Sequence, residues 1–385
     1  MDLPVMPPVA PMLAKAVPTI PSEPGLIYEP KWDGFRAIFF RDGDEVEITS
    51  RNERSLARYF PELLDAARVA LPDRCVIDGE IVIVGATGLD FDTLSQRIHP
   101  AASRIELLAR TTPAHFVAYD VLADAKTNLM GTNFVDRRTR LVELLGSGGA
   151  QASSGSASTG HSDSHLVHLT PATTEHSLAV DWFSRFEGAG LDGVMAKSME
   201  GPYRPGERTM RKIKHVRDAD CVIGGFRWYR DQPGMLGSLL LGLYDDNDVL
   251  HHVGVAGSFP AAKRRELAQL LAPLALDGSG DHPWQGDPRG PAGPVGSGPE
   301  ASSASGVTNR RPGTPSRWSG GRDTSWVALP PTLVAEVSYG QLTAGRFRHN
   351  ATFLRLRPDR DPISCRYSQL DVPVPLELDQ LFVST

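Results

Sequence analysis

Lys31-Trp32-Asp33-Gly34 places an amine beside a turn signal, between Tyr28-Glu29-Pro30 and Phe35-Arg36-Ala37. A lysine attacks an electrophile only after losing its proton, so that chemistry needs a cation-rich or desolvated surrounding. A glycine close by lets backbone approach a phosphate. If Lys31 attacks a nucleotide phosphate, the chain is a transfer enzyme. Otherwise Asp33-Gly34 is a routine turn.

Other stretches offer partners for such chemistry. Asp78-Gly79-Glu80 follows Cys75-Val76-Ile77 and precedes Ile81-Val82-Ile83-Val84, so two carboxylates fall within or beside a strand that otherwise wants burial and must find partners. They are either solvated turn residues or a pair that holds a ribose hydroxyl or a divalent cation. Asp192-Gly193-Val194-Met195-Ala196-Lys197 repeats the pattern of acid, glycine and short apolar strand, then adds a lysine. Residues five apart on a strand lie on opposite faces, so Asp192 and Lys197 need not pair and instead bracket a ligand, or else the segment is a turn feeding a core strand. Residues 204–217 hold six Lys/Arg against one Glu, with Lys212 and Lys214 on one strand face. A triphosphate or a DNA backbone is the natural counter-ion, and a solvated basic edge is the alternative. A second basic cluster comprises Arg346, Arg348, Arg355, Arg357 and Arg360, with Arg355 and Arg357 on one face of an alternating strand. Tyr119, inside the strand-like run Phe116 to Val121, either stacks on a purine or packs in the core.

The elements that must position these groups read as follows. Strands are expected at 37–40, 46–50, 76–84 and 116–122, and helices at 54–70, 137–145 and 174–187. Beyond a domain boundary near Val216 the chain reads as β-rich: strands at 220–228, 236–244, 333–339 and 352–357, with a helix at 261–272 stopped by Pro273. Two Gly/Pro/Ser-rich stretches, 146–164 and 278–313, are expected to be exposed mobile loops. The fold class is therefore α+β in domain 1–216, followed by a β-barrel domain at 217–385.

Composition sets outer limits. The 385 residues, 41% hydrophobic, suffice for two cores. Cys75, Cys221 and Cys365 lie far apart, which speaks against a zinc knuckle or a disulfide framework and fits a reducing cytoplasm. The first twenty residues carry five prolines and no signal-peptide pattern, and no apolar run is long enough to cross a membrane. The net charge of −6 conceals two basic patches, and nucleic-acid binding responds to local potential.

Taken in order, Lys31-Trp-Asp-Gly, Ser50-Arg51-Asn52, Asp78-Gly-Glu80, Phe116 to Asp120, Asp192 to Lys197, Lys212-Ile-Lys214 and Arg355 to Arg360 resemble the collinear motifs of covalent nucleotidyltransferases. The likeness is greatest to ATP-dependent DNA ligases, in particular the small actinobacterial C-type enzymes. It runs from about Pro7 to Leu370, apart from the two loops. The resemblance implies an adenylation domain of antiparallel sheets with helices, then an OB-fold barrel. It implies Lys31 as the nucleophile that becomes lysyl-AMP, and Glu29 on the adenine side. Arg36 and Arg51 would touch ribose and phosphate, Glu80 ribose or metal, and Tyr119 would stack on adenine. Asp192 would bind metal, Lys197, Arg208, Lys212 and Lys214 would face phosphate, and Arg355, Arg357 and Arg360 would steady pyrophosphate when the barrel closes about a hinge near Val216.

ATP and Mg²⁺, with Mn²⁺ as a substitute, are the implied cofactors, and nicked duplex DNA the substrate, in repair at the nucleoid. Three positions depart from the common pattern: Asp192 stands where many relatives carry Glu, Arg360 where Lys is usual, and Met210 where many have Trp. No separate DNA-binding domain precedes the catalytic unit, so a monomer helped by a DNA-end-binding or other repair protein is expected. An RNA ligase, a GTP-dependent capping enzyme and a non-catalytic nucleic-acid-binding protein are the competing readings.

Overall fold

The computed structural model describes residues 1–86, 88–148, 166–230, 232–277, 282–284, 311–312, 325–343 and 345–370. They form two compact units that divide between Lys214 and His215. Two-residue strands are left unnumbered below.

The first unit is built on two sheets. One has four strands in the order β1 (Leu13–Ala16), β9 (Arg208–Ile213), β8 (Val194–Ser198), β2 (Leu26–Pro30). The other runs β7 (Val167–Leu169), β6 (His115–Asp124), β5 (Arg74–Val82), β3 (Phe35–Asp42), β4 (Glu45–Ser50), with Thr127–Asn128 pairing β6. Strand β3 is apolar on both faces: Ala37 and Phe39 pack with Leu63 and Ala67 of helix Pro61–Ala70, while Ile38 and Phe40 pack with Met12 and Met210. Such a strand reads as a continuous apolar run because both faces are covered. The second face carries the charged side chains of the site, because Arg36, Asp78 and Glu80 share the parity of Ile38, Phe40 and Val76.

Asp78-Gly79-Glu80 thus lies within a paired strand, and its reading as a solvated turn does not hold. Gly79 is required there, since a Cβ would meet the Phe116 ring and the Val117 carbonyl at 2.4 Å. The helix expected at 54–70 begins only at Pro61, after a single 3₁₀ turn at Ala57–Tyr59. The helix at 134–148 runs into the start of the first expected loop, whose residues 149–164 lie outside the described ones. Helices Phe91–Gln96 and Ala102–Thr111 had no clear sequence signal.

In the second unit β10 (Arg217–Tyr229) pairs with β11 (Gln232–Tyr244), β11 with β12 (Leu250–Gly257), β12 in parallel with β14 (Ala351–Leu356), β14 with β13 (Val334–Tyr339), and β13 with β10. The ring closes on itself as a five-stranded OB-type barrel, with helix Ala261–Leu271 between its third and fourth strands. Leu239, Leu241, Val253, Val337 and Phe226 fill its core.

The expectation that residues 278–313 form only a mobile loop is corrected at 282–284, while most of the stretch lies outside the described residues. Trp284 is 4% exposed, its Nε1 donates to the Leu250 carbonyl at 2.9 Å, and its ring occupies the space a Cβ would need at Gly224 and Gly242. His282 and Trp326 pack on it edge-on. A Gly/Pro-rich composition hid one aromatic anchor. Among the described residues no helix is long and apolar enough to cross a membrane.

Candidate active site

Lys31 follows the last residue of β2, and both of its backbone polar groups are held: its N–H donates to Gly193 at 2.8 Å, and its carbonyl accepts from Asp192 at 2.9 Å. Gly193, with φ +129°, leaves no room for a side chain, because a Cβ would lie 2.0 Å from the Ile213 carbonyl. Three backbones therefore meet where Lys31, Asp192 and Lys214 begin. The meeting is expressed in their side chains. Lys31 Nζ lies 2.6 Å and Lys214 Nζ 2.5 Å from the same oxygen, Asp192 Oδ2.

Lys212 stands beside this trio. Partial burial, Lys214, Lys31 and Arg51 together hold its amine below the usual lysine range, with Asp192 opposing them. Asp192 is held below the usual carboxylate range: burial opposes its charge, but the two lysines outweigh it. Arg51 is exposed, and so is Arg208, whose Nη1 donates to the Ala14 carbonyl at 3.2 Å.

Lys197 departs from its expected place among phosphate-facing cations. It is 4% exposed, pairs with Glu29 Oε2 at 2.7 Å, and its amine sits 4.6 Å from the ring centres of both Tyr119 and Phe134. The alternation of β8 turns Lys197 inward while Asp192 precedes the strand and holds Lys31 and Lys214, so the two do not pair with each other. Arg36 is engaged by an acid as well. It holds Asp78 through two hydrogen bonds of 2.6 and 2.5 Å, and Tyr203 donates to the same carboxylate at 2.7 Å. Asp78, read from sequence as one of a carboxylate pair, is held by Arg36 and Tyr203, and Tyr203 is the supporting residue that sequence reasoning passed over. The run Asp78-Gly-Glu80 carried the signal for Asp78, and nothing local carried it for Tyr203.

Glu80 is the neighbour of Tyr119, whose hydroxyl lies 3.4 Å from Oε2. Burial pushes the Glu80 carboxyl up to about 7, against the pull of Arg36 and Lys31. Tyr119 is 8% exposed and has Arg36 over its ring at 4.7 Å, so little of the expected stacking surface is open. Gly34 has a packing reason: a Cβ there would lie 2.1 Å from the Ile81 carbonyl and 3.0 Å from Glu80 Cγ. The glycine of the Lys31 motif lets β3 start flush against the strand that carries Glu80.

The basic rib of the barrel exists and is neutralised within its own unit. Arg355 Nε is 2.5 Å from Glu336, Arg357 reaches Asp220 at 3.1 Å, Asp359 at 2.8 Å and Glu336 at 3.8 Å, and Arg360 reaches Asp220 at 3.0 Å. Arg355 and Arg357 share Glu336, as residues on one strand face should.

A lysine fixed by backbone on both sides, two further lysines, and buried acids suit transfer through a phosphate more than binding alone. Known proteins agree. The profile described as "ATP dependent DNA ligase domain" matches residues 11–214, and "ATP dependent DNA ligase C terminal region" matches 232–360. The chain is 49% identical over 381 residues to DNA ligase C of Mycobacterium tuberculosis, covering 99% of each. It is 49% identical over 373 residues to DNA ligase C2 of Mycolicibacterium smegmatis, covering 97% of each. It is also 29% identical over 348 residues, 87% of this chain and 36% of the other, to the multifunctional non-homologous end joining DNA repair protein LigD of Mycobacterium tuberculosis. Among solved structures, a Lig E DNA ligase superposes over 90% of this chain and 99% of its own with a TM-score of 0.51 at 16% identity, a likeness of fold alone. With both profiles matched in chain order and about half the residues shared with DNA ligase C over its whole length, the chain belongs to the ATP-dependent DNA ligases.

Proposed function

We propose that Lys31 attacks the α-phosphorus of ATP, so that an N–P bond forms as the bond to the β-phosphate oxygen breaks and pyrophosphate leaves. AMP then passes from the phosphoramidate to the 5′-phosphate at a nick, and the adjacent 3′-hydroxyl displaces it. The observation that supports this reading is the convergence of Lys31 and Lys214 on one oxygen of Asp192, with Lys212 alongside. Phosphoryl-type transfer depends on positioning and charge neutralisation, and this arrangement supplies both.

Roles follow from placement. Lys212 and Lys214 neutralise the α-phosphate, with Arg51 and Arg208 at the exposed edge for the outer phosphates or the DNA backbone. Glu29 and Tyr119 serve the base, and Glu80 the ribose. Arg36, tied to Asp78, fixes Tyr119 and Glu80 in place. Lys197 acts through Glu29. Arg355, Arg357 and Arg360, aligned by their acids, steady the departing pyrophosphate.

The donor set fits Mg²⁺. Both lysines sit on Asp192 Oδ2, which leaves Oδ1 for another partner, and Glu80 makes only a long contact to Tyr119. Hard carboxylate oxygens combined with substrate phosphates are the usual holders of this ion. When bound there, Mg²⁺ or Mn²⁺ would offset phosphate charge.

The LigD relative is described as a repair protein, and we place this enzyme in DNA repair at the nucleoid, with a DNA-end-binding partner supplying added grip. A joining assay with DNA or RNA on each side of the break tests the substrate. Sealing of a DNA nick with ATP supports the proposal. Joining of RNA ends alone, or labelling by GTP in preference to ATP, contradicts it.

A further inference from the structure

Two buried polar atoms near Lys31 have no hydrogen-bond partner: Glu29 Oε1 and Arg138 Nη1. They lie 3.7 Å apart, an ion-pair distance too long for a hydrogen bond. The remainder of each group is engaged. Glu29 Oε2 takes the Lys197 amine at 2.7 Å, and Arg138 Nη2 donates to the Thr170 carbonyl. Glu29 is 2% exposed and the Arg138 side chain 11%. Leaving a buried donor or acceptor unmade costs about 1–3 kcal/mol each, so an adjacent pair of them calls for a ligand or another explanation.

The backbone cannot complete the pair. Pro30 has no N–H, and the Lys31 N–H is already given to Gly193. Glu29 and Lys31 are two apart on an extended chain, so they point to the same side. What waits beside the nucleophile is one acceptor and one donor. The edge of an adenine ring offers the complement: an amino group that donates, next to a ring nitrogen that accepts.

We propose that Arg138 is a base-selecting residue of the adenylation step, its Nη1 donating to the ring nitrogen beside the 6-amino group while Glu29 Oε1 accepts from that amino group. This rests on the reading of the Lys31 pocket as the ATP site. Guanine has a carbonyl oxygen in place of the amino group, so Glu29 would face an acceptor. On the N1 edge guanine's N–H would also face Arg138. Sites built to pair a substrate polar group discriminate strongly against analogues that leave their own groups unpaired.

The test measures lysyl-AMP formation by the full chain with ATP, GTP, 1-deaza-ATP and 7-deaza-ATP, in wild type, Arg138→Met and Arg138→Lys. Wild type should lose roughly tenfold or more in kcat/KM on one of the two deaza nucleotides, which also identifies the edge. Arg138→Met should lose a similar factor on ATP, show no further loss on that analogue, and prefer ATP over GTP less than wild type does. Arg138→Lys, which keeps a donor, should recover part of the loss. Equal use of ATP and both deaza nucleotides by wild type overturns the proposal, as does an Arg138→Met enzyme that discriminates among them as wild type does. If Arg138→Met fails to fold, the wild-type series decides alone. Failure of the underlying reading has a different signature, an adduct that survives in Lys31→Ala.

Discussion

Lys31 and Lys214 share one carboxylate oxygen, Asp192 Oδ2, at 2.6 and 2.5 Å. The two lysines are far apart in sequence, and the pairing exists only because Gly193 lets β2, β8 and β9 meet without a side chain between them.

Gly193→Ala should therefore damage both stability and chemistry. The new Cβ would overlap the Ile213 carbonyl, in a backbone conformation that L side chains rarely adopt. A loss of at least ~2 kcal/mol in denaturant unfolding is expected, with adenylation falling further than stability explains. A variant that unfolds and adenylates like wild type would show that the meeting of the three strands is not required.

Glu80 gives a pH dependence with a definite sign. Its folded carboxyl, raised to about 7 by burial, binds its proton more tightly than the unfolded chain, where 4.5 is ordinary. Between those values the native state holds a proton that the unfolded state has released. Its contribution to stability therefore declines as pH rises through that window and is lowest above about 7. In metal-free, nucleotide-free protein, Glu80→Gln should flatten this part of the stability profile and be the more stable protein at about pH 8. Parallel profiles for the two proteins across the window would contradict the assignment.

The two sites of positive charge were legible because strand alternation is a short-range rule: Arg355 and Arg357 do share Glu336, and Lys212 and Lys214 both lie beside Lys31 and Asp192. Partner choice was not legible. Lys197 finds Glu29, and Arg36 finds Asp78, through pairing of strands separated by long stretches of chain, and no spacing within one motif encodes that. The packing role of Gly34 was not legible for the same reason, since the Ile81 carbonyl that excludes its side chain belongs to another strand. Composition failed at Trp284, a buried aromatic inside a Gly/Pro-rich stretch.

Trp284→Ala should cost about 3–5 kcal/mol in the barrel unit, because the indole fills space kept open by Gly224 and Gly242. Deleting residues 278–313 removes that anchor and should destabilise the barrel, whereas deleting 286–309, a Gly/Pro/Ser-rich stretch, should leave adenylation within roughly a few-fold of wild type. Equal stability of wild type and Trp284→Ala in denaturant would show that the ring is not an anchor.

Asp220 binds both Arg357 and Arg360, at 3.1 and 3.0 Å. If those arginines serve pyrophosphate departure, Asp220→Ala should slow adduct formation from ATP roughly tenfold through lost orientation. Joining of a nick that already carries a 5′-adenylate should change far less. Equal loss in both assays would instead indicate general damage to the barrel.

The central claim is that Lys31 carries AMP. Incubation of the full chain with Mg²⁺ and ATP labelled at the α-phosphate, followed by denaturing electrophoresis, tests it most directly. Wild type should retain an acid-labile, alkali-stable label, as a phosphoramidate does, while Lys31→Ala and Lys31→Arg retain none, because a guanidinium stays protonated and cannot attack. A wild-type protein that never takes the label, or a Lys31→Ala protein that still does, would contradict the account.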